Sequence, residues 1–175
     1  VDPSKPFTED KFMNAIAFLE KKVKDGFIIG SRGNEYTQDL RAGNANAVIG
    51  WSGDMFQLAA ESDGKFDFAI PESGGCISTD NFMIPSTSTN AVNASKMVNY
   101  YYDPTVAATV AAWVNYICPV KGAQEAMEKV DPSLANSEYI FPTAKTTSRL
   151  SIFRALTAAE ETSYQTAFQS VAGNA

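Results

Sequence analysis

The sequence predicts an α/β fold, on three observations. Strand-like and helix-like apolar spacings alternate through the first two thirds of the chain. Hydrophobic residues make up 45%, an ordinary share for a globular domain. The 175 residues suffice for one filled core or two small lobes. No internal repeat, low-complexity tract or charge block interrupts the pattern. No apolar run approaches the roughly 18 residues that a membrane-crossing helix needs.

Phe7-Thr8-Glu9-Asp10 predicts a helix start, with Thr8 as N-cap and acids in the first turn. Phe12, Ile16, Leu19 and Val23 then share one face, and Asp25-Gly26 closes the helix. The polar, glycine-bearing stretch 30–43 holds a short amphipathic helix over Glu35–Arg41. Ala47–Trp51 is a compact apolar run ending at Ser52-Gly53, as expected of a buried parallel strand. A short helix over Met55–Ala60 follows. Phe66, Phe68 and Ile70 alternate with polar or small residues up to Pro71, the pattern of a second strand. After a turn at Glu72–Gly75, Cys76–Pro85 is extended again.

Two helices come next, one with Ala94, Met97, Val98 and Tyr101 inward, the other with Val106, Val110, Val114 and Ile117. Asp103-Pro104 restarts the chain between them, the Asp as cap and the Pro at the first turn. A helix is expected over Gly122–Val130 and a turn at Asp131-Pro132-Ser133. The last element is marked by Thr157-Ala158-Ala159-Glu160, which has capping-box spacing, with Tyr164, Phe168 and Val171 continuing its apolar stripe.

Composition removes whole classes of function. Fourteen Lys and Arg against twenty Asp and Glu give a net charge of -6, with no basic cluster of the kind that phosphate contacts require. A nucleic-acid partner is therefore not expected. The acidic balance suits a cationic ligand by long-range attraction, and equally suits solubility alone. The chain has no histidine, which excludes His-based metal sites, the Ser-His-Asp triad and the Cys-His dyad. Paired carboxylates or a lysine nucleophile remain, without a motif for either. Neither catalysis, a metal nor a cofactor is expected. Cys76 and Cys118 form no CxxC unit, so they either pair in an oxidising compartment or lie as two small buried thiols.

Four stretches taken in order resemble one family: Val48-Ile49-Gly50-Trp51-Ser52-Gly53, then Gly74-Gly75-Cys76-Ile77-Ser78-Thr79-Asp80-Asn81-Phe82-Met83-Ile84-Pro85, then Tyr102-Asp103-Pro104-Thr105-Val106-Ala107, and last Asn115-Tyr116-Ile117-Cys118-Pro119-Val120. Together they resemble the C-terminal half of the periplasmic spermidine/putrescine-binding proteins, from about residue 47 to 142. The resemblance implies a partial periplasmic-binding-protein type II fold lacking most of the first lobe. On this basis 1–77 and about 125–175 belong mainly to one lobe. Residues of about 80–120 supply hinge and helices of the other. Hinge crossings are implied at Gly74–Asp80 and Tyr116–Pro119, where Cys76 and Cys118 would be close enough to bond.

The implied ligand is a polyamine or related small cationic solute, delivered to the membrane permease of an ABC importer. The setting is periplasmic or extracellular, with a signal or lipid anchor upstream of Val1. The chain opens on Val1-Asp2-Pro3 without a Met, as expected of a processed or cut end. Ammonium groups need carboxylates, and methylene spacers need aromatic faces, which add cation–π attraction of about 0.5–2 kcal/mol each.

Asp80 is the acid implied for an ammonium, and Trp51 and Tyr116 are the implied clamps on the alkyl chain. Taken without the family, Trp51 fits a core tryptophan under a loop, Asp80 a turn carboxylate, and Tyr116 a half-buried core residue. Ser78 departs from the spermidine-binding pattern, which has an aromatic residue two positions before the acid. One wall of the slot would be lost, as for a different cationic ligand, a bulkier one or a weakened site. Asp2 aligns only loosely with a stretch where the family carries further acids. A fragment that self-associates as a homodimer, with no ligand of its own, is the alternative from a different class.

Overall fold

The computed structural model describes residues 7–172, so Asp2 lies outside the described residues. Along the chain run α1 (Glu9–Lys24), α2 (Tyr36–Ala42), α3 (Ser52–Ala60), β1 (Gly75–Ile77), α4 (Ala91–Tyr101) and α5 (Pro104–Val114), then α6 (Ala123–Val130), α7 (Ala144–Thr147), β2 (Leu150–Ile152) and α8 (Ala158–Ala172). The architecture is helix-rich and mixed, with a small parallel sheet, in keeping with the α/β class. Two compact units divide it: the chain through Ile49 together with Phe153 onward, and Gly50–Ile152.

The first unit rests on α1 against α8. Thr8 caps α1 as expected, its hydroxyl accepting from the Lys11 amide, and Ile16 is buried at the centre of the predicted face. Phe12 stacks on Tyr164 of α8 at 4.1 Å, and Phe7 meets the same ring edge-on at 5.9 Å. Tyr164 and Val171 are buried as their stripe predicts, whereas Phe168 is exposed. The capping box forms in both directions: the Glu160 amide donates to Thr157 Oγ1 at 3.3 Å, and the Thr157 amide to Glu160 Oε2 at 2.9 Å. Glu160 also pairs with Arg154 at 2.7 Å, and with the Thr157 amide this holds its carboxyl down at about 2.

In the second unit the core gathers around α5 and α6. Asp103 caps α5, its Oδ1 accepting from the Thr105 and Val106 amides at 2.9 and 3.2 Å, an arrangement that contributes about 1 kcal/mol. The inward side of α5 is not the expected valine stripe. Ala107, Ala108 and Ala111 are buried, while Val110, Val114 and Ile117 are exposed. Small side chains let α6 approach closely, where Ala123 and Met127 are wholly buried and Ile140 closes the cluster. The close fit of the alanines, rather than the bulk of the valines, decides which side faces in. On α4, Ala94, Val98 and Tyr101 are half-buried, but Met97 is exposed.

The strand expectations fare unevenly. Gly75–Ile77 is a strand and pairs in parallel with Leu150–Ile152 (Gly75 opposite Leu150, Ile77 opposite Ile152), a partner too short to stand out in the sequence. Gly74 precedes it at φ +101, and a side chain there would strike the Arg149 carbonyl. Ala47–Trp51 forms no strand, and Ile49 is fully exposed at 103%. Phe66, Phe68 and Ile70 keep their alternating burial, yet this stretch forms no ladder either. Apolar spacing selects an extended backbone, but a strand also needs a neighbour to bond. Met83 of the expected extended segment is likewise 87% exposed. Tyr116–Pro119 takes no strand conformation, though the Cys118 amide donates to the Ile140 carbonyl at 3.0 Å.

Candidate functional site

Trp51 stands at the N-cap of α3, in extended backbone conformation and 56% exposed. The first turn of α3 follows at once and carries Asp54, where unpaired helix amides favour negative charge. Tyr116 reaches this turn from the end of α5. Asn115 ends that helix in the left-handed conformation at φ 59, a geometry that Asn tolerates better than most residues.

The Tyr116 hydroxyl donates to Asp54 Oδ1 at 2.9 Å, and its ring lies directly on the backbone of Gly53. A side chain at position 53 would collide with that ring, so glycine is required by close approach. The result is a partly exposed tryptophan, a tyrosine and a carboxylate on a single helical turn.

Ser78 and Asp80 lie on the exposed stretch that leaves β1. The segment is fixed just beyond them, where Phe82 meets Tyr101 of α4 edge-on at 5.6 Å. Tyr101 and Cys118 in turn pack against the α5–α6 core, where burial pushes the Tyr101 phenol and the Cys118 thiol above their ordinary values. Asp80 thus sits two residues before one anchor of this core, and Tyr116 two residues before another. Trp51 and Tyr116 share the α3 turn, whereas Ser78 and Asp80 occupy a separate segment tied to the same cluster.

Asp54 escaped the sequence analysis. Its signal was an acid three residues after Trp51, in what becomes the first helical turn; that position is ordinary for an acid and attracts no notice alone. The bond from Tyr116, 62 residues away, is what sets it apart. Of the two states open to the cysteines, pairing or free thiols, this structure has the second. Cys76 is exposed on β1, and the Cys118 sulfur lies 3.9 Å from the Ala107 carbonyl oxygen.

Gly50–Ile152, which holds all four expected ligand residues, carries eleven of the twenty acids and six of the fourteen basic residues. Its field therefore favours a cation. Among the described residues no group of three or more His, Cys, Asp or Glu is placed to hold a metal ion, and no helix is long and apolar enough to cross a membrane.

The α3 turn thus presents an exposed aromatic face beside a carboxylate. The bacterial extracellular solute-binding protein family matches residues 3–138, and the chain belongs to that family, whose members bind solutes and are not enzymes. The spermidine/putrescine-binding periplasmic protein of Escherichia coli K12 is 30% identical over 104 residues, 59% of this chain and 29% of that protein. Its counterpart in Salmonella typhimurium is 29% identical over 107 residues, 61% of this chain and 30% of that protein. A putrescine-binding periplasmic protein of Pseudomonas aeruginosa is 27% identical over 155 residues, covering 85% of this chain and 41% of that protein. The chain spans less than half the length of these curated relatives.

Proposed function

We propose that this chain is part of a receptor that captures a polyamine-like cation and delivers it to the permease of an ABC importer. It would work in the periplasm or at the cell exterior, with a signal or lipid anchor upstream of Val1. In this reading residues of about 80–120 supply hinge and helices to one lobe, and 1–77 with about 125–175 belong mainly to the other. The observation that carries it is the Tyr116–Asp54 bond at the foot of exposed Trp51, which places aromatic faces and a carboxylate on one turn.

Asp80 grips one ammonium, in a charge-assisted bond of about 1.5–3 kcal/mol. Asp54 accepts from Tyr116 through Oδ1, and a carboxylate accommodates several donors. Trp51 and Tyr116 cover the methylenes and add cation–π attraction of about 0.5–2 kcal/mol. Ser78 offers a hydroxyl where an aromatic wall would stand, and this favours a different or bulkier cationic solute as the second reading.

Native mass spectrometry of the chain with a mixture of putrescine, cadaverine and spermidine tests the proposal. A one-to-one adduct, weakened at least tenfold by Asp80→Ala, supports it. Failure to form any polyamine adduct, or an adduct indifferent to both Asp80→Ala and Asp54→Ala, would overturn it.

A further inference from the structure

After α3 the chain turns over residues 61–65, a turn that neither the ligand residues nor the core uses. At its tip stands Asp63-Gly64, one of two Asp-Gly pairs in a sequence that has no Asn-Gly pair. An aspartate followed by glycine carries a latent reaction. Its side-chain carboxyl carbon lies within reach of the next residue's amide nitrogen, and closure gives a five-membered cyclic imide. Glycine in the second place lacks the Cβ that would crowd the ring. A fold holds this reaction back by engaging the carboxylate, the amide or both.

The two pairs differ on each count. Asp25-Gly26 closes α1, where Lys21 Nζ donates to the Asp25 carboxylate at 2.6 Å and the Gly26 amide donates to the Val23 carbonyl at 3.0 Å. Both reacting groups are occupied there. Asp63 and Gly64 are exposed. Among the described residues, nothing bonds to the Asp63 carboxylate or accepts from the Gly64 amide. The turn is held around its tip instead, by the Lys65 amide on the Ser62 carbonyl at 3.0 Å and the Phe66 amide on Ser62 Oγ at 3.3 Å. Asp63 also holds φ 51, a left-handed conformation that aspartate tolerates and most residues avoid. A Cβ on Gly64 would meet nothing within 4 Å, so no neighbour stands in the way of the ring.

We propose that Asp63 is a self-modification site, converting in the folded protein to isoaspartate through the cyclic imide it forms with the Gly64 amide, while Asp25 is spared. The Gly64 nitrogen attacks Asp63 Cγ, an N–Cγ bond forms, and the carboxyl hydroxyl leaves with the amide proton as one water. Solvent water then opens the imide. Attack at Cγ restores aspartate; attack at the main-chain carbonyl breaks its bond to the Gly64 nitrogen and routes the backbone through Cγ. One water is released and one taken up, and a carboxylate is regained, so mass and charge end unchanged. The lengthened backbone falls between Ser62 and the two amides that bond to it. The modification is independent of the polyamine reading, since Trp51, Asp54, Ser78, Asp80 and Tyr116 take no part in it.

Peptide mapping of the folded chain, held warm at neutral pH for several weeks, tests the proposal, with electron-transfer fragmentation to tell isoaspartate from aspartate. The expected result is isoaspartate accumulating at position 63 at least tenfold faster than at position 25, with a minor form of the Asp63-Gly64 peptide one water lighter. In guanidinium chloride, where neither pair is held by the fold, the two rates should come within about threefold of each other. Asp63→Glu keeps the charge but requires a larger ring, and Gly64→Ala crowds the attacking nitrogen; each should slow conversion at least tenfold. Circular dichroism matching the parent chain confirms that each variant is folded. An Asp63 that stays aspartate overturns the proposal. So does an Asp25 that converts as fast in the folded chain, or an Asp63 that the fold slows tenfold relative to guanidinium chloride. Conversion undiminished in Gly64→Ala overturns the route through the Gly64 amide.

Discussion

Two regions of the Gly50–Ile152 unit use apolar residues in opposite ways. Around α5 and α6 the buried side chains are mostly small: five alanines closed by Met127 and Ile140. Around the start of α3 and the stretch after β1, the apolar residues are large and stay in contact with water: Trp51 at 56%, Phe82 at 61% and Met83 at 87% exposed. The first region supplies rigidity through close packing. The second leaves aromatic surface available to something outside the chain, and it is anchored to the first through Phe82–Tyr101 and the Cys118 amide. Close packing and exposed aromatic surface thus separate along the chain, and substitutions in one region should leave the other's property intact.

The largest effect is expected from Met127→Ala. It removes a wholly buried side chain from between α5 and α6 and should cost about 2–5 kcal/mol in urea denaturation. Trp51→Ala should change stability by less than about 0.5 kcal/mol and act on ligand binding instead. Equal losses of stability from the two would erase the distinction between the regions.

Gly53→Ala comes next. The added methyl group displaces the Tyr116 ring and breaks its bond to Asp54, an overpacking cost of about 1–3 kcal/mol. It should also weaken ligand binding, whereas Tyr116→Phe removes only the hydroxyl and should cost less in both assays. An unperturbed Gly53→Ala protein would show that the ring does not rest on that backbone.

A smaller effect separates α8 from the acidic unit. The Glu160 carboxyl sits at about 2, below the ordinary 4.5. A lowered folded-state value means stability that is complete above about 4.5 and is lost as pH falls through about 2. Helicity followed by circular dichroism should decline across that window. Glu160→Gln should melt lower at pH 7 and show less of that decline.

The smallest difference lies in the thiols. Cys76 is exposed, while burial raises the Cys118 thiol, so an alkylating reagent should label Cys76 well before Cys118. A chain in which neither reacts in denaturant until it is reduced would show instead that the two are paired.

Much of this was legible in the sequence, and what was not has physical causes. Helix ends were legible because caps are local: Thr8, Asp103 and the Thr157–Glu160 pair each satisfy amides within a few residues of themselves. Strands were not, because the Gly75–Leu150 pairing spans about half the chain, while the apolar runs at 47–51 and 66–70 find no ladder. The orientation of α5 was missed because spacing marks an apolar side without saying whether alanine or valine packs better. Trp51, Asp80 and Tyr116 were named from resemblance to a family, but Asp54 became visible only when the fold brought Tyr116 onto its helix.

The central claim is that Trp51 and Asp80 serve one cationic ligand, and the tryptophans allow it to be tested directly. With Trp113→Phe, Trp51 becomes the only tryptophan in the chain. Titration with spermidine should then change its emission saturably, at one ligand per chain, and Asp80→Ala should abolish the response. An emission that stays flat up to millimolar spermidine, or a response that Asp80→Ala leaves unchanged, would contradict the account.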